Sequence, residues 1–254
     1  MSIELHWADC FDVFPSIKNQ SSDLVLCDPP FATTKNLWDQ PLEWSLIWQE
    51  LKRIAKPNAA IVLFSQFPFS ADLLQSNREG YKQYWVWNKK LAGNFAVTKY
   101  MPLSITELIL VFTANGEKVN YYPQMEKGTE RYRGSKNAKT NGQGFGNIEQ
   151  VYYKSDERYP KNLVEFSTVN RRQSKHPSQK PVELLEYLIK TYSLEGETVL
   201  DFTMGSGSTG VACKNTNRNF IGIEKEKEYF DIAKQRILTE GLQEPEIDIC
   251  SMFN

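Results

Sequence analysis

Cysteine and histidine are scarce in this 254-residue chain, and neither is grouped. Cys10, Cys27, Cys213 and Cys250 form no C-x-x-C pair, and His6 and His176 stand apart from them and from each other. That excludes the usual zinc spacings, so no metal is expected, and it suits a reduced, cytoplasmic setting. Apolar runs of about 18 residues are missing, as is a basic start leading into an apolar stretch, so neither a membrane span nor a secretory leader is expected. A surplus of charge is missing too. With 30 Lys and Arg against 31 Asp and Glu, the formal net charge is -1, and any nucleic-acid partner has to be met by a local patch. What remains is length enough for one large α/β domain, or for one such domain carrying an insertion.

Ile3 to Cys10 and Ser22 to Cys27 read as strands, the second with the continuous apolar run Leu24-Val25-Leu26 of a strand covered on both faces. Trp44, Ile47, Trp48, Leu51 and Ile54 recur at helical spacing, and Lys56-Pro57-Asn58 ends that helix before the strand Ala60 to Phe64. A helix is expected near Pro68 to Gln75, with strands around Tyr84 to Trp87 and Glu107 to Thr113. From Asn115 to about Lys175 the chain is polar and, except around Asn162 to Phe166, aperiodic. Between Glu126 and Lys180 twelve Lys and Arg face six Asp and Glu, so the positive charge is concentrated there. The rhythm resumes with a helix opened by Pro181 and closed by Gly196, a strand Thr198 to Phe202, a helix Ser208 to Asn215, a strand Phe220 to Ile223 and a helix Lys225 to Thr239. The expected division is 1–114, an inserted region 115–175, and 176–254.

Two turns carry chemistry. Asp201-Phe202-Thr203-Met204-Gly205-Ser206-Gly207-Ser208 joins a strand to a helix, and Gly205-x-Gly207-x-x-Gly210 lets the backbone pass close beneath a nucleoside ligand. Glu224, at the end of the next strand, is placed to accept hydrogen bonds from ribose hydroxyls. Asp201 would repel a pyrophosphate but suits a ligand bearing an ammonium and a sulfonium. Too little chain follows Gly210 to complete a sheet, so the other strands must come from upstream. The second turn is Asp28-Pro29-Pro30-Phe31, at the carboxyl end of a buried strand. Its consecutive prolines make a stiff corner rich in acceptors. The Asp28 carboxylate and the Pro29 carbonyl could draw on the two hydrogens of an exocyclic amino group, turning its lone pair toward an incoming methyl, while Phe31 stacks on the base.

This pair of turns resembles those of the DNA amino-methyltransferases, and their order, catalytic motif first and cofactor motif last, resembles the beta group. His176-Pro177-Ser178-Gln179-Lys180-Pro181 is similar to the run that leads into the cofactor half of that family. The resemblance implies a Rossmann-like S-adenosylmethionine-dependent methyltransferase fold, a mixed, mostly parallel sheet with helices on both faces and an inserted target-recognition region. It implies catalytic roles for Asp28, Pro29, Pro30 and Phe31. Cofactor contacts are implied for Asp9, Cys10, Asp28, Lys180, Asp201, Phe202, Thr203, Gly205, Ser206, Gly207, Ser208 and Glu224. Lys180 has two readings, one facing solvent and one beside a cofactor carboxylate or a phosphate. Arg131, Arg133, Lys136, Lys139, Arg171 and Arg172, interleaved with aromatic residues, read either as a solvated face or as contacts to double-stranded DNA. The implied activity is methyl transfer from S-adenosylmethionine to adenine N6, with cytosine N4 and an inactive DNA-binding module as the competing readings. A homodimer is an expectation from the family alone.

Overall fold

The computed structural model describes residues 1–32, 39–93, 98–115, 118–133, 153–168 and 179–239. In chain order its elements are β1 (Ile3–Trp7), α1 (Cys10–Val13), β2 (Ser22–Cys27), α2 (Trp44–Ile54), β3 (Ala55–Ser65), α3 (Phe69–Ser76), β4 (Tyr81–Asn88), β5 (Thr106–Thr113), β6 (Glu126–Arg133), β7 (Tyr153–Arg158), β8 (Leu163–Glu165), α4 (Val182–Tyr192), β9 (Thr198–Asp201), α5 (Ser208–Asn215), β10 (Asn219–Glu224) and α6 (Lys227–Thr239). None of the described helices is long and apolar enough to cross a membrane.

Eight strands form one sheet in the order β1-β10-β9-β2-β3-β5-β4-β8. Neighbours from β1 through β3 pair in parallel, β5 runs antiparallel to both β3 and β4, and β8 is parallel to β4. The centre of the sheet decides where a site can form. There β2 lies beside β9, with Leu24 opposite Val199 and Val25 opposite Leu200. From β2 the chain winds outward through β3 on one side, and from β9 it winds outward through β10 on the other. That reversal opens a crevice at the carboxyl ends of β2 and β9.

Residues of β2 alternate between two cores, as the pleat requires. Leu24 and Leu26 join the cluster that includes α4 and α5 residues such as Leu185, Leu188, Val211 and Ala212. Val25 and Cys27 join the opposite cluster, with Val13, Ile47, Leu51 and Leu73 from α1, α2 and α3. A strand covered on both faces has no polar face to show, which is why all six of its residues are buried. Even Asp23 is buried, and it is matched: its carboxylate takes the Lys56 ammonium at 2.6 Å and the Thr198 amide at 3.0 Å, tying β2 to β3 and β9.

Several boundaries differ from the sequence reading. The first strand stops at Trp7 instead of running to Cys10, because the Asp9 carboxylate accepts the Phe11 amide at 3.0 Å and caps α1. Lys56-Pro57-Asn58 does not separate helix from strand but lies within β3, where the pairing with β2 jumps from Ala55 opposite Ser22 to Ala60 opposite Leu24. Pro181 is extended and precedes α4, which begins at Val182. Leu163–Glu165, in the one periodic stretch of the polar segment, pairs with β4 as the last strand of the main sheet.

Pro123–Lys161 forms a second compact unit. Within it β6 and β7 pair antiparallel with a register shift between Lys127 and Arg131. Arg158 reaches the Thr129 hydroxyl at 3.0 Å, and Lys154 pairs with Glu130 at 2.5 Å.

Candidate active site

The turns after β2 and β9 open on one cavity of about 320 Å³. Asp28, Pro29, Pro30 and Phe31 line it together with Asp9, Cys10, Lys180, Asp201, Phe202, Thr203, Gly205, Ser206, Ser208 and Glu224. Of the cofactor and catalytic candidates only Gly207 is not part of the wall.

Thr203 joins the two turns. Its hydroxyl donates to the Asp28 carbonyl at 3.1 Å and sits 2.9 Å from the Cys27 thiol. The glycine turn is held from several sides. Glu224 accepts the Gly205 amide at 2.9 Å with one oxygen and the Glu226 amide at 2.8 Å with the other. Arg236 of α6, 3 % exposed, donates to the Ser206 carbonyl at 2.6 Å and reaches the hydroxyls of Ser206 and Ser208 at 3.1 and 3.2 Å. Both serines are thus engaged from behind the turn. Phe202 is a core side chain, edge-on to Phe14. Asp201 is buried and receives the Thr203 amide at 3.2 Å. Burial pushes its carboxyl up to about 7, against the hydrogen bonds from Thr209, Cys27 and Thr203. Burial, reinforced by the adjacent Asp9, pushes the Cys10 thiol up to about 12, so it stays protonated and is no nucleophile.

Lys180 is 8 % exposed, which rules out its solvent-facing reading. Its ammonium lies 2.6 Å from Asp28 Oδ2 and 3.7 Å from Glu107 Oε1. Phe31 stacks on Phe69, with 5.2 Å between centroids and 22° between planes. Asp28 Oδ1 is buried and has no hydrogen-bond partner among the described residues. A buried acceptor without a partner is costly, and this one belongs to a residue that lines the cavity. Burial pushes the Asp28 carboxyl up to about 6; Lys180 opposes the rise, while Glu107 and Asp39 add to it.

Sequence reasoning missed Glu107 and Arg236. Glu107 looked like an ordinary acid at the start of a strand, and Arg236 like one more basic residue on an amphipathic helix. Only a lack of alternatives in the fold, not a motif, marks them. Of the nucleic-acid candidates, Arg131 and Arg133 belong to β6 by backbone, but their side chains, and all of Lys136, Lys139, Arg171 and Arg172, lie outside the described residues, as does His176-Pro177-Ser178.

The cavity fits S-adenosylmethionine by its donor set. Glu224, Asp9 and Asp201 bring carboxylates that could accept from ribose hydroxyls and an ammonium, and Asp28 lines the same cavity. Comparison with known proteins agrees. Residues 22–235 match the family model described as DNA methylase, that of the N6/N4 methyltransferases. The chain is 30 % identical over 253 residues to the type II methyltransferase M.HpaI of Haemophilus parainfluenzae, covering 91 % of this chain and 74 % of that one. It is 28 % identical to M2.DpnII of Streptococcus pneumoniae, covering 92 % and 89 %. Among solved structures it is similar to the M1.HpyAVI complex with S-adenosylmethionine, at 26 % identity and a TM-score of 0.61, covering 92 % of this chain and 98 % of that one. The PvuII cytosine-N4-specific methyltransferase shares the fold, with a TM-score of 0.66 at 16 % identity over 93 % of this chain and 86 % of that one. With catalytic turn first, cofactor turn last and both on one crevice, the chain belongs to the beta group of the N6/N4 DNA methyltransferases, enzymes that draw their methyl group from S-adenosylmethionine.

Proposed function

We propose that this enzyme methylates adenine N6 in duplex DNA at a specific sequence, acting on a base flipped out of the helix. What carries the reading is Asp28, which lines the same cavity as the glycine turn and whose Oδ1 has no hydrogen-bond partner among the described residues. The adenine amino group is a poor nucleophile because its lone pair is conjugated into the ring. Asp28 Oδ1 accepting one N–H and the Pro29 carbonyl accepting the other would localise that lone pair and aim it across the cavity. The bound cofactor supplies an electrophilic methyl on a sulfonium, so no covalent enzyme intermediate is needed. The protein contributes alignment and the exclusion of water, and proximity supplies much of the rate. Phe31, fixed by Phe69 behind it, offers a ring on which a flipped base could stack. Asp9, Asp201 and Glu224 are the proposed cofactor contacts. Adenine is favoured over cytosine N4 by resemblance alone, since Asp28 opens the tetrapeptide as in the adenine-specific members of the family, and a sequence-specific modification role is favoured by the type II relatives. Residues 115–175 are the proposed target-recognition region, by virtue of their excess of positive charge.

Incubation with duplex DNA and tritium-labelled S-adenosylmethionine, followed by digestion to nucleosides, tests the reading. Label in N6-methyldeoxyadenosine is expected, and label in N4-methyldeoxycytidine would overturn the choice of base. Asp28→Ala should bind the cofactor with little change and lose at least about a hundredfold in methyl transfer, the scale of a lost preorganised contact. Undiminished transfer in that variant would remove Asp28 from the mechanism.

A further inference from the structure

A lysine ammonium inserted between a buried carboxylate and a partly buried one is a costly arrangement unless each charge is positioned by the others. Asp28, Glu107 and Lys180 come from three separate places in the chain: the turn after β2, the second residue of β5, and the segment before α4. The Lys180 ammonium sits 2.6 Å from Asp28 Oδ2 and 3.7 Å from Glu107 Oε1, with the Phe64 ring 5.0 Å below it. Lys180 and Glu107 are each 8 % exposed, so water screens little of their interaction.

We propose that Lys180 and Glu107 are positioning residues for methyl transfer: Lys180 engages Asp28 Oδ2 and so fixes the orientation in which the carboxylate meets the substrate amino group, and Glu107 anchors Lys180 from its other side. The inference rests on the role given to Asp28 above. Two oxygens in one carboxylate are equivalent until something occupies one of them. With Lys180 on Oδ2, rotation of the carboxylate plane is restricted, and Oδ1 is the oxygen without a partner among the described residues. Lys180 also compensates part of the cost of keeping Asp28 ionised in a dry site, whereas Glu107 raises that cost by repulsion. The other charged groups facing Asp28 are Asp39, whose carboxylate accepts the Ala32 amide at 2.7 Å, and Asp201 across the cavity wall.

Opposite electrostatic signs make the proposal separable from a merely structural role. In the parent enzyme kcat/KM should rise with pH as Asp28 ionises, on a limb near 6. Lys180→Met removes the neighbouring cation, so the limb should move upward by about one unit or more, with transfer falling at least tenfold at neutral pH. Lys180→Arg should return the limb toward its parent position. Glu107→Gln keeps the shape and removes the repulsion, so the limb should move down, with transfer reduced because Lys180 loses its anchor. Affinity for S-adenosylmethionine, titrated directly, should stay within about threefold of the parent in both variants. Two results would overturn the proposal: limbs that stay put or move together, and a loss of cofactor affinity in Lys180→Met with an unmoved limb, which would make Lys180 a cofactor contact. A limb owned by Asp201 would also stay put, since the groups acting on it are Thr209, Cys27, Thr203 and Asp28. If Lys180→Met does not fold, as its melting curve would show, the isosteric Glu107→Gln decides the matter alone. Asp28→Ala run in parallel keeps the two claims apart. Its activity, if retained, sinks the assigned role of Asp28; its inactivity alongside unmoved limbs sinks only the positioning roles.

Discussion

Asp201 shows how one side chain can serve the fold and the site while opposing itself in free energy. It ends β9, is 3 % exposed, and holds the turn by accepting the Thr203 amide. With its carboxyl pushed up to about 7, against an ordinary value near 4, the folded chain holds a proton that the unfolded chain has already released. Between those two values folding therefore takes up protons, and stability falls as the pH rises. Asp201→Asn removes the titrating group but leaves its size, and Asp28, which shifts in the same direction, remains in both proteins. The unfolding free energy of the parent minus that of the variant should then decrease from pH 5 to pH 8. Urea titrations at the two pH values check this, and a difference that stayed constant or grew would refute the buried, proton-holding state of Asp201. Thr203 makes a related point about legibility. In the sequence it was only one residue of the glycine turn, with an implied cofactor contact, yet its hydroxyl makes the hydrogen bond that joins the two turns of the site. No spacing rule could reveal that, because Thr203 and Asp28 are 175 residues apart.

At the scale of elements, the glycine turn is the most constrained piece of backbone. Gly207 precedes α5 with φ of +78°, and a Cβ there would meet the Cβ and Cα of Ala233 at 2.8 and 2.9 Å. The left-handed backbone alone costs an L side chain about 1–2 kcal/mol, and forcing a methyl against α6 adds about 1–3 kcal/mol. Gly207→Ala should lose roughly 2–5 kcal/mol of stability in denaturant titration and weaken cofactor binding as the turn shifts. A variant of parental stability would mean that α6 yields at Ala233, and the close packing would lose its importance. This turn and the proline corner were legible because each needs particular residues: glycine for a positive φ, and proline for a stiff loop at the end of a strand. The core strands were legible for the same kind of reason, since Leu24 to Leu26 could only be covered on both faces. Helix and strand ends were less so. Asp9 ends β1 by capping α1, and Lys56-Pro57-Asn58 bulges within β3, because hydrogen bonds chosen by tertiary contacts override local propensity. The ribbon of β6 and β7 escaped notice since its strands are polar on both faces and show no alternation.

At the scale of the molecule, the neutral sum of charges conceals a division of labour. The chain as a whole is at -1, while Glu126 to Lys180 alone carries six more positive than negative side chains, so the remainder is net acidic. A DNA methyltransferase acts on a polyanion and needs its positive charge where the DNA lies, and an acidic remainder would weaken nonspecific adhesion elsewhere. Sequence could locate this charge but could not say which side chains touch phosphate, because the register of an aperiodic segment is set by contacts and not by pattern. Salt dependence can measure it. Each phosphate contact contributes a slope of about -0.9 to the plot of log affinity against log salt. If Arg171 and Arg172 lie on phosphates, replacing both with Gln should make the slope shallower by up to about 2 and weaken cognate and random duplexes to a similar extent. Anisotropy titrations of labelled duplexes between low and physiological salt provide the readout. A slope unchanged from the parent would take both arginines off the backbone, and a loss confined to the cognate duplex would make them readers of bases instead.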